Sequence, residues 1–169
     1  MPGEVHPNTV ERVAAHLERR GRACLRVHGT SMLPWVRPRD IVLVRRATLD
    51  SVRCGDLVLF ARNAQLFLHR VIEKKRFAGS LQVLAKGDAH PHPDVAVGQD
   101  EFLGRVVRIH RGRRGVELDS PLQLVRGVLI AQVSARSARW YPVARLVARV
   151  ALPIRKLLAA VRAAGAESL

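Results

Sequence analysis

Three groups of residues in this sequence have the types and spacing for joint chemistry. The first is Val27-His28-Gly29-Thr30-Ser31-Met32-Leu33-Pro34. Gly29 lets other backbone approach closely, and Pro34 stiffens the exit of the turn. A serine held there between two strands can act as an exposed nucleophile. The pattern is short, however, and an ordinary loop serine fits it too. The second group is Phe67-Leu68-His69-Arg70-Val71-Ile72, which sets a histidine inside an apolar strand. Burying imidazole is costly unless it is hydrogen-bonded. It is also the side chain best matched to take a hydroxyl proton near neutral pH. A purely structural histidine is the alternative.

The third group is Ala85-Lys86-Gly87-Asp88-Ala89-His90-Pro91-His92-Pro93-Asp94. Its two carboxylates, Asp88 and Asp94, lie in a loop rich in Pro and His. A carboxylate beside a histidine fixes its tautomer and steadies the imidazolium formed during catalysis. The alternatives are a solvated turn in which Asp caps its own backbone, and a metal site built from Asp88, His90, His92 and Asp94. HxH with nearby acids is a weak metal signal, so neither a metal nor a cofactor is expected.

The elements that must hold these groups follow from the hydrophobic period. Residues 8–20, NTVERVAAHLERR, have Val10, Val13, Ala14 and Leu17 on one stripe and Gly21 after the end, which predicts an amphipathic helix. Asn8 or Thr9 can cap it, with Glu11 placed to answer. The period then changes to two. Short runs rich in Val, Leu and Ile at 25–28, 41–45, 57–61, 66–73, 81–86 and 103–109 predict strands, broken by Gly, Pro and Asp. A further strand is expected at 116–118, and a hairpin loop at 77–80. The fold class expected is mainly β: a compact domain of hairpins and meanders over 23–119, a helical lead-in at 1–22, and a basic helical tail at 120–169.

In this order, the three groups resemble the signal peptidase I family and its relatives, the self-cleaving SOS-repressor and phage-repressor peptidases. The likeness runs from about Arg26 to Ile109, roughly half the chain. Ser31-Met32-Leu33-Pro34 matches the family's Ser-Met-x-Pro box. Gly55-Asp56-Leu57-Val58 matches its Gly-Asp strand start, and Arg39-Asp40-Ile41-Val42 is a partial copy. His69-Arg70-Val71 matches the box of the general base. Lys86-Gly87-Asp88 with Asp94 matches the last box.

The resemblance implies a serine endopeptidase that cuts a leader or signal segment from a precursor. Ser31 would be the nucleophile and His69 the base, as in the endoplasmic-reticulum and archaeal type, where other members use a lysine. Asp94 would orient His69. Asp88 is the alternative orienter, or else a structural partner of the loop. The N–H of Ser31, with that of Thr30, would form the oxyanion hole. Met32 and Pro34 would contact substrate. Gly29 replaces a serine that supplies a further oxyanion donor in some relatives, so that donor is missing. Trp35 replaces the usual Thr after the first box. Family members typically carry a transmembrane helix just before the nucleophile, and this chain has a short amphipathic one. A repressor-type self-cleaving or DNA-binding protein and a non-catalytic peptide-binding module are the competing readings.

Composition narrows the partners. The 169 residues carry a net charge of +15, with Lys and Arg together 29, of which only Lys74, Lys75, Lys86 and Lys156 are lysine. Such an excess favours anionic partners. With seven aromatics a stacking platform for single strands is poorly supplied, so nucleic acid is not the preferred partner. Cys24 and Cys54 make no disulfide framework. The first 21 residues, with Glu4, Glu11 and Glu18, do not read as a secretory signal. No window of about 18 residues is free of charge, so no membrane span is expected. After Pro121 the chain has eight Lys and Arg and one acid, Glu167, set among Leu, Val and Ala, with Trp140 and Tyr141. That composition suits a peripheral anchor on an anionic membrane, or a helix packed on the β domain or on a partner.

Overall fold

A computed structural model describes residues 8–77, 79–93 and 96–135. The chain divides into two units, Met1–Ala135 and Arg136–Leu169, and the described residues all belong to the first. The expectations for 136–169 and for Asp94 therefore lie outside the described residues.

The amphipathic helix forms as α1, Asn8–Arg20. Its stripe meets the sheet through Val13 and Leu17, both buried. The chain then runs through β1 (Arg22–Arg26), β2 (Ile41–Arg45), a short 3-10 turn at Leu49–Ser51, β3 (Leu57–Arg62), β4 (Gln65–Phe77), β5 (Ser80–Lys86), β6 (Phe102–Arg111) and β7 (Arg114–Glu117). All pairings are antiparallel, in the order β1-β2-β6-β3-β4-β5, with β7 on β6. A helical segment, α2, follows at 121–135.

β3 explains how the sheet is built. Its residues Leu57 to Phe60 are all buried, so the strand is covered on both faces. Leu57 and Leu59 point into one cluster with Val13, Leu17, Met32, Val36, Val42 and Val106. Val58 and Phe60 point into the other, with Leu49, Val52, Val71, Val83 and Val97. The two-residue period of the strand thus serves two cores.

α2 has a face for the sheet and a face for solvent. Gly127, Ala131 and Ser134 are buried, while Leu122, Val125, Leu129 and Val133 are exposed. Gly55 and Gly127 let the two backbones touch. A Cβ on Gly55 would stand 2.5 Å from the Gly127 carbonyl carbon, and Gly55 also has φ +96. At the far end Lys86 Nζ, almost wholly buried, donates to Ser134 Oγ at 2.7 Å. Among the described residues no helix is long and apolar enough to cross a membrane.

Candidate active site

Ser31 lies in a turn between β1 and β2. Leu33 N–H donates to Thr30 O at 3.1 Å and Val36 N–H to Met32 O at 3.0 Å. The Met32 side chain, 1% exposed, anchors the turn in the first core cluster. Asp40 closes the exit. Its carboxylate accepts from Arg37 N–H at 2.8 Å and from Arg111 at 2.9 and 2.6 Å, and Arg111 also donates to Trp35 O. These bonds, the Arg111 hydrogen bond first, hold the Asp40 carboxyl below its ordinary range against the opposing effect of burial. The Asp40 of the partial second box is therefore a clamp on the turn that carries Ser31.

His69 is 3% exposed and sits opposite Val58 on the second-cluster face of β4. Phe60 meets its ring edge-on at 5.8 Å between centroids, and Phe67 lies at 6.0 Å. Arg70, the next residue, points to the other face. Its guanidinium grips both oxygens of Asp88 at 2.9 and 2.8 Å and donates to Gly55 O at 2.9 Å. Both side chains are almost fully buried. One side chain thus joins three of the sequence boxes. Of the two roles expected for Asp88, these bonds fit that of a structural partner of the loop.

The loop after β5 meets the serine turn at Gly87. Ala89 N–H donates to Ser31 O at 2.8 Å, and His90 N–H to Gly87 O at 2.9 Å. A Cβ on Gly87 would lie 2.9 Å from Ser31 O, 3.1 Å from Ser31 Cβ and 3.0 Å from His90 Nδ1. Glycine is required there for the two segments to touch. The His90 ring in turn stands edge-on to His69, 5.6 Å between centroids. Ser31 and His69 are therefore gathered around Gly87 and His90, although 38 positions separate them in sequence. No hydrogen bond joins Ser31 Oγ to either imidazole among the described residues. Sequence reasoning gave His90 a place only in a metal set. Its contact with His69 depends on how the loop folds back, and no spacing rule encodes that.

Asp94 lies outside the described residues, but the chain beyond it is tied down. Val97 bridges Val83 with bonds of 3.0 and 2.8 Å. Arg62 donates to Ala96 O and pairs with Glu101, which keeps the Glu101 carboxyl below its usual range. No group of three or more His, Cys, Asp or Glu suited to a metal occurs among the described residues. Of the four residues of the metal alternative, Asp88 is engaged by Arg70 and Asp94 lies outside the described residues.

The Peptidase S24-like family matches residues 6–107, which cover α1 and the sheet into β6. The chain belongs to the Peptidase S24-like family. The match begins earlier than the likeness read from the motif boxes, and so takes α1 into the family domain. α2 falls beyond it. No curated protein matches this chain. Membership carries the peptidase or repressor-type fold and leaves the reaction to be argued from the site.

Proposed function

We propose that this S24-like domain is a serine endopeptidase of the signal peptidase type, cutting a leader or signal segment from a precursor. The observation that carries the reading is the convergence of Ser31 and His69 on Gly87 and His90. Ser31 Oγ would attack the scissile carbonyl while His69 takes its proton. The same imidazolium would then protonate the leaving amine, and water would hydrolyse the acyl-enzyme. Asp94 is assigned the orienting of His69. The N–H groups of Thr30 and Ser31 accept the oxyanion role, and no carbonyl among the described residues occupies them.

The sheet offers a place for the substrate. β4 pairs with β3 from Gln65 onward, but its pairing with β5 begins only at Arg70. Among the described residues the Gln65–His69 stretch is thus a strand edge leading to His69. An extended peptide added there gains main-chain hydrogen bonds. Leu66 and Leu68, packed on the first core cluster with Val27, would line shallow pockets suited to small side chains.

A membrane surface fits the chain beyond the sheet. The exposed stripe Leu122, Val125, Leu129 and Val133 precedes a segment with seven Lys and Arg and one acid. Such a stripe and charge suit peripheral binding to anionic lipid, near a membrane-held precursor. Co-sedimentation with phosphatidylglycerol vesicles tests this; equal binding to phosphatidylcholine vesicles would contradict it.

The catalytic reading is tested with a fluorophosphonate probe on the purified chain. Labelling of the wild type and none of Ser31→Ala is expected. An unlabelled wild type, or equal labelling of Ser31→Ala, overturns the mechanism.

A further inference from the structure

On the first-cluster face of the sheet, under α2, lies a cavity of about 410 Å3. That is in the range of sites for small ligands and peptide side chains, about 300–1,000 Å3. It lies apart from the Gln65–His69 edge, because Leu57, Arg70, Val106 and Ile109 line it and His69 points to the opposite face. Its floor is apolar: Val36, Leu57, Val106 and Ile109 are all core residues. Ile130 and Leu124 of α2 form part of the wall.

The rim has the opposite character. Arg37, Arg111, Arg114 and Arg126, all exposed, line the cavity as well. Arg111 is neutralised by Asp40. Arg114 and Arg126 make no ion pair among the described residues, and Arg37 makes no direct one, although its charge acts on nearby Asp40, which Arg111 already holds. Arg126 lies over the Trp35 ring at 4.4 Å, which leaves its charge in place. The one acid lining the cavity, Asp56, is 8% exposed and faces Arg105 at 3.6 Å. An apolar floor under four guanidinium groups that share one carboxylate, Asp40, is complementary to an apolar side chain followed by carboxylates. A sugar-phosphate backbone would satisfy the rim and waste the floor.

The geometry points to a docking site for an acidic, apolar peptide segment of the precursor, remote from the bond that is cut. The word precursor rests on the peptidase reading; the site itself does not. Pro34 and Trp35, in the cavity wall, belong to the same turn as Ser31. A substrate held at both places is bound twice, and the second contact raises the effective concentration of the scissile bond.

The test uses the full chain with Ser31→Ala, so that no cleavage intervenes, and Trp140→Phe, so that Trp35 is the fluorophore. It is titrated with a short synthetic peptide alternating Leu and Glu, and with the same peptide carrying Lys for Glu. A saturable change in Trp35 emission with the Glu peptide alone is expected. Adding Arg37→Glu and Arg114→Glu should weaken binding about a hundredfold, since each lost charge-assisted pair is worth about tenfold. Circular dichroism verifies that the variant is folded. No saturable change, equal binding of the Lys peptide, or unchanged affinity in the arginine variant overturns the proposal. So does tighter binding of duplex DNA or of phosphatidylglycerol vesicles that is lost with the same two arginines, since the rim would then serve that partner. A wild type that resists the fluorophosphonate probe while Ser31→Ala still binds the Glu peptide would remove the peptidase reading and leave the docking site standing.

Discussion

Arg70 holds Asp88 by both carboxylate oxygens, and each side chain is less than a tenth exposed. The third arm of the guanidinium reaches Gly55 O. β4, the loop after β5 and the start of β3 are thereby fixed to one planar group, next to the residue assigned as general base. Arginine suits this because its fork presents several donors in one plane, whereas lysine offers a single point charge.

Removing one member of that pair leaves the other buried and uncompensated. Arg70→Met should therefore cost about 3–5 kcal/mol of stability. The double change Arg70→Met with Asp88→Leu should recover a large part of it, because an apolar pair strands no charge. Denaturant unfolding of the three proteins measures this. A cost under about 1 kcal/mol for Arg70→Met would show that the clamp is not structural.

The two histidines separate in their effect on catalysis. His69→Ala should lower kcat/KM on a cleaved precursor by about 10²–10⁴-fold, the usual worth of a positioned acid or base. His90→Ala, at an exposed ring that touches His69 from the side, should cost far less. The pH profile gives the sharper contrast. The low-pH limb should vanish with His69→Ala and remain with His90→Ala. The reverse pattern would make His90 the base.

Stability at low pH should follow Asp40 and Glu101. Each ionises more readily in the folded protein, through Arg111 and Arg62 respectively. Their contribution is present above their ordinary values, 3.8 and 4.5, and is lost as pH falls through the lower folded values. Unfolding free energy should be level near neutrality and fall steeply from about pH 4 downward. Asp40→Asn should start lower and show a shallower fall. An acid slope identical to wild type would detach Asp40 from the clamp on the serine turn.

Much of the sheet was legible because alternation and burial coincide. β2 spans the expected 41–45, and α1 the expected 8–20. β1 begins three residues before its expected start, at Arg22, because only the small Ala23 is buried in its first half and leaves little apolar signal. β4 and β5 extend to Phe77 and Ser80, which shortens the expected hairpin loop. Ser31, His69 and Asp88 were singled out by type and box order. The partner of Asp88 was not: Arg70 stands in the box of His69, but no spacing rule ties it to a carboxylate 18 positions on. The bond between Lys86 and Ser134, 48 residues apart, lies beyond any local rule.

The seating of α2 should hinge on Gly55. Alanine there meets two obstacles: a positive φ that L side chains rarely adopt, and the Gly127 backbone at 2.5 Å. Neither obstacle is a flexible side-chain end that can move aside. Gly55→Ala should therefore lift α2 and break the Lys86–Ser134 contact. Gly127→Ala, whose added carbon would sit 3.0 Å from Gly55 O, should do less. Amide hydrogen exchange over residues 121–135 reads the difference directly, since a helix detached from the sheet loses protection as a unit. Exchange in β3 and β4 should change little in Gly127→Ala and rise in Gly55→Ala, because Gly55 also accepts from Arg70. Unchanged protection of α2 in Gly55→Ala would mean that the helix is held elsewhere, at Lys86 or by the Arg126–Trp35 stack.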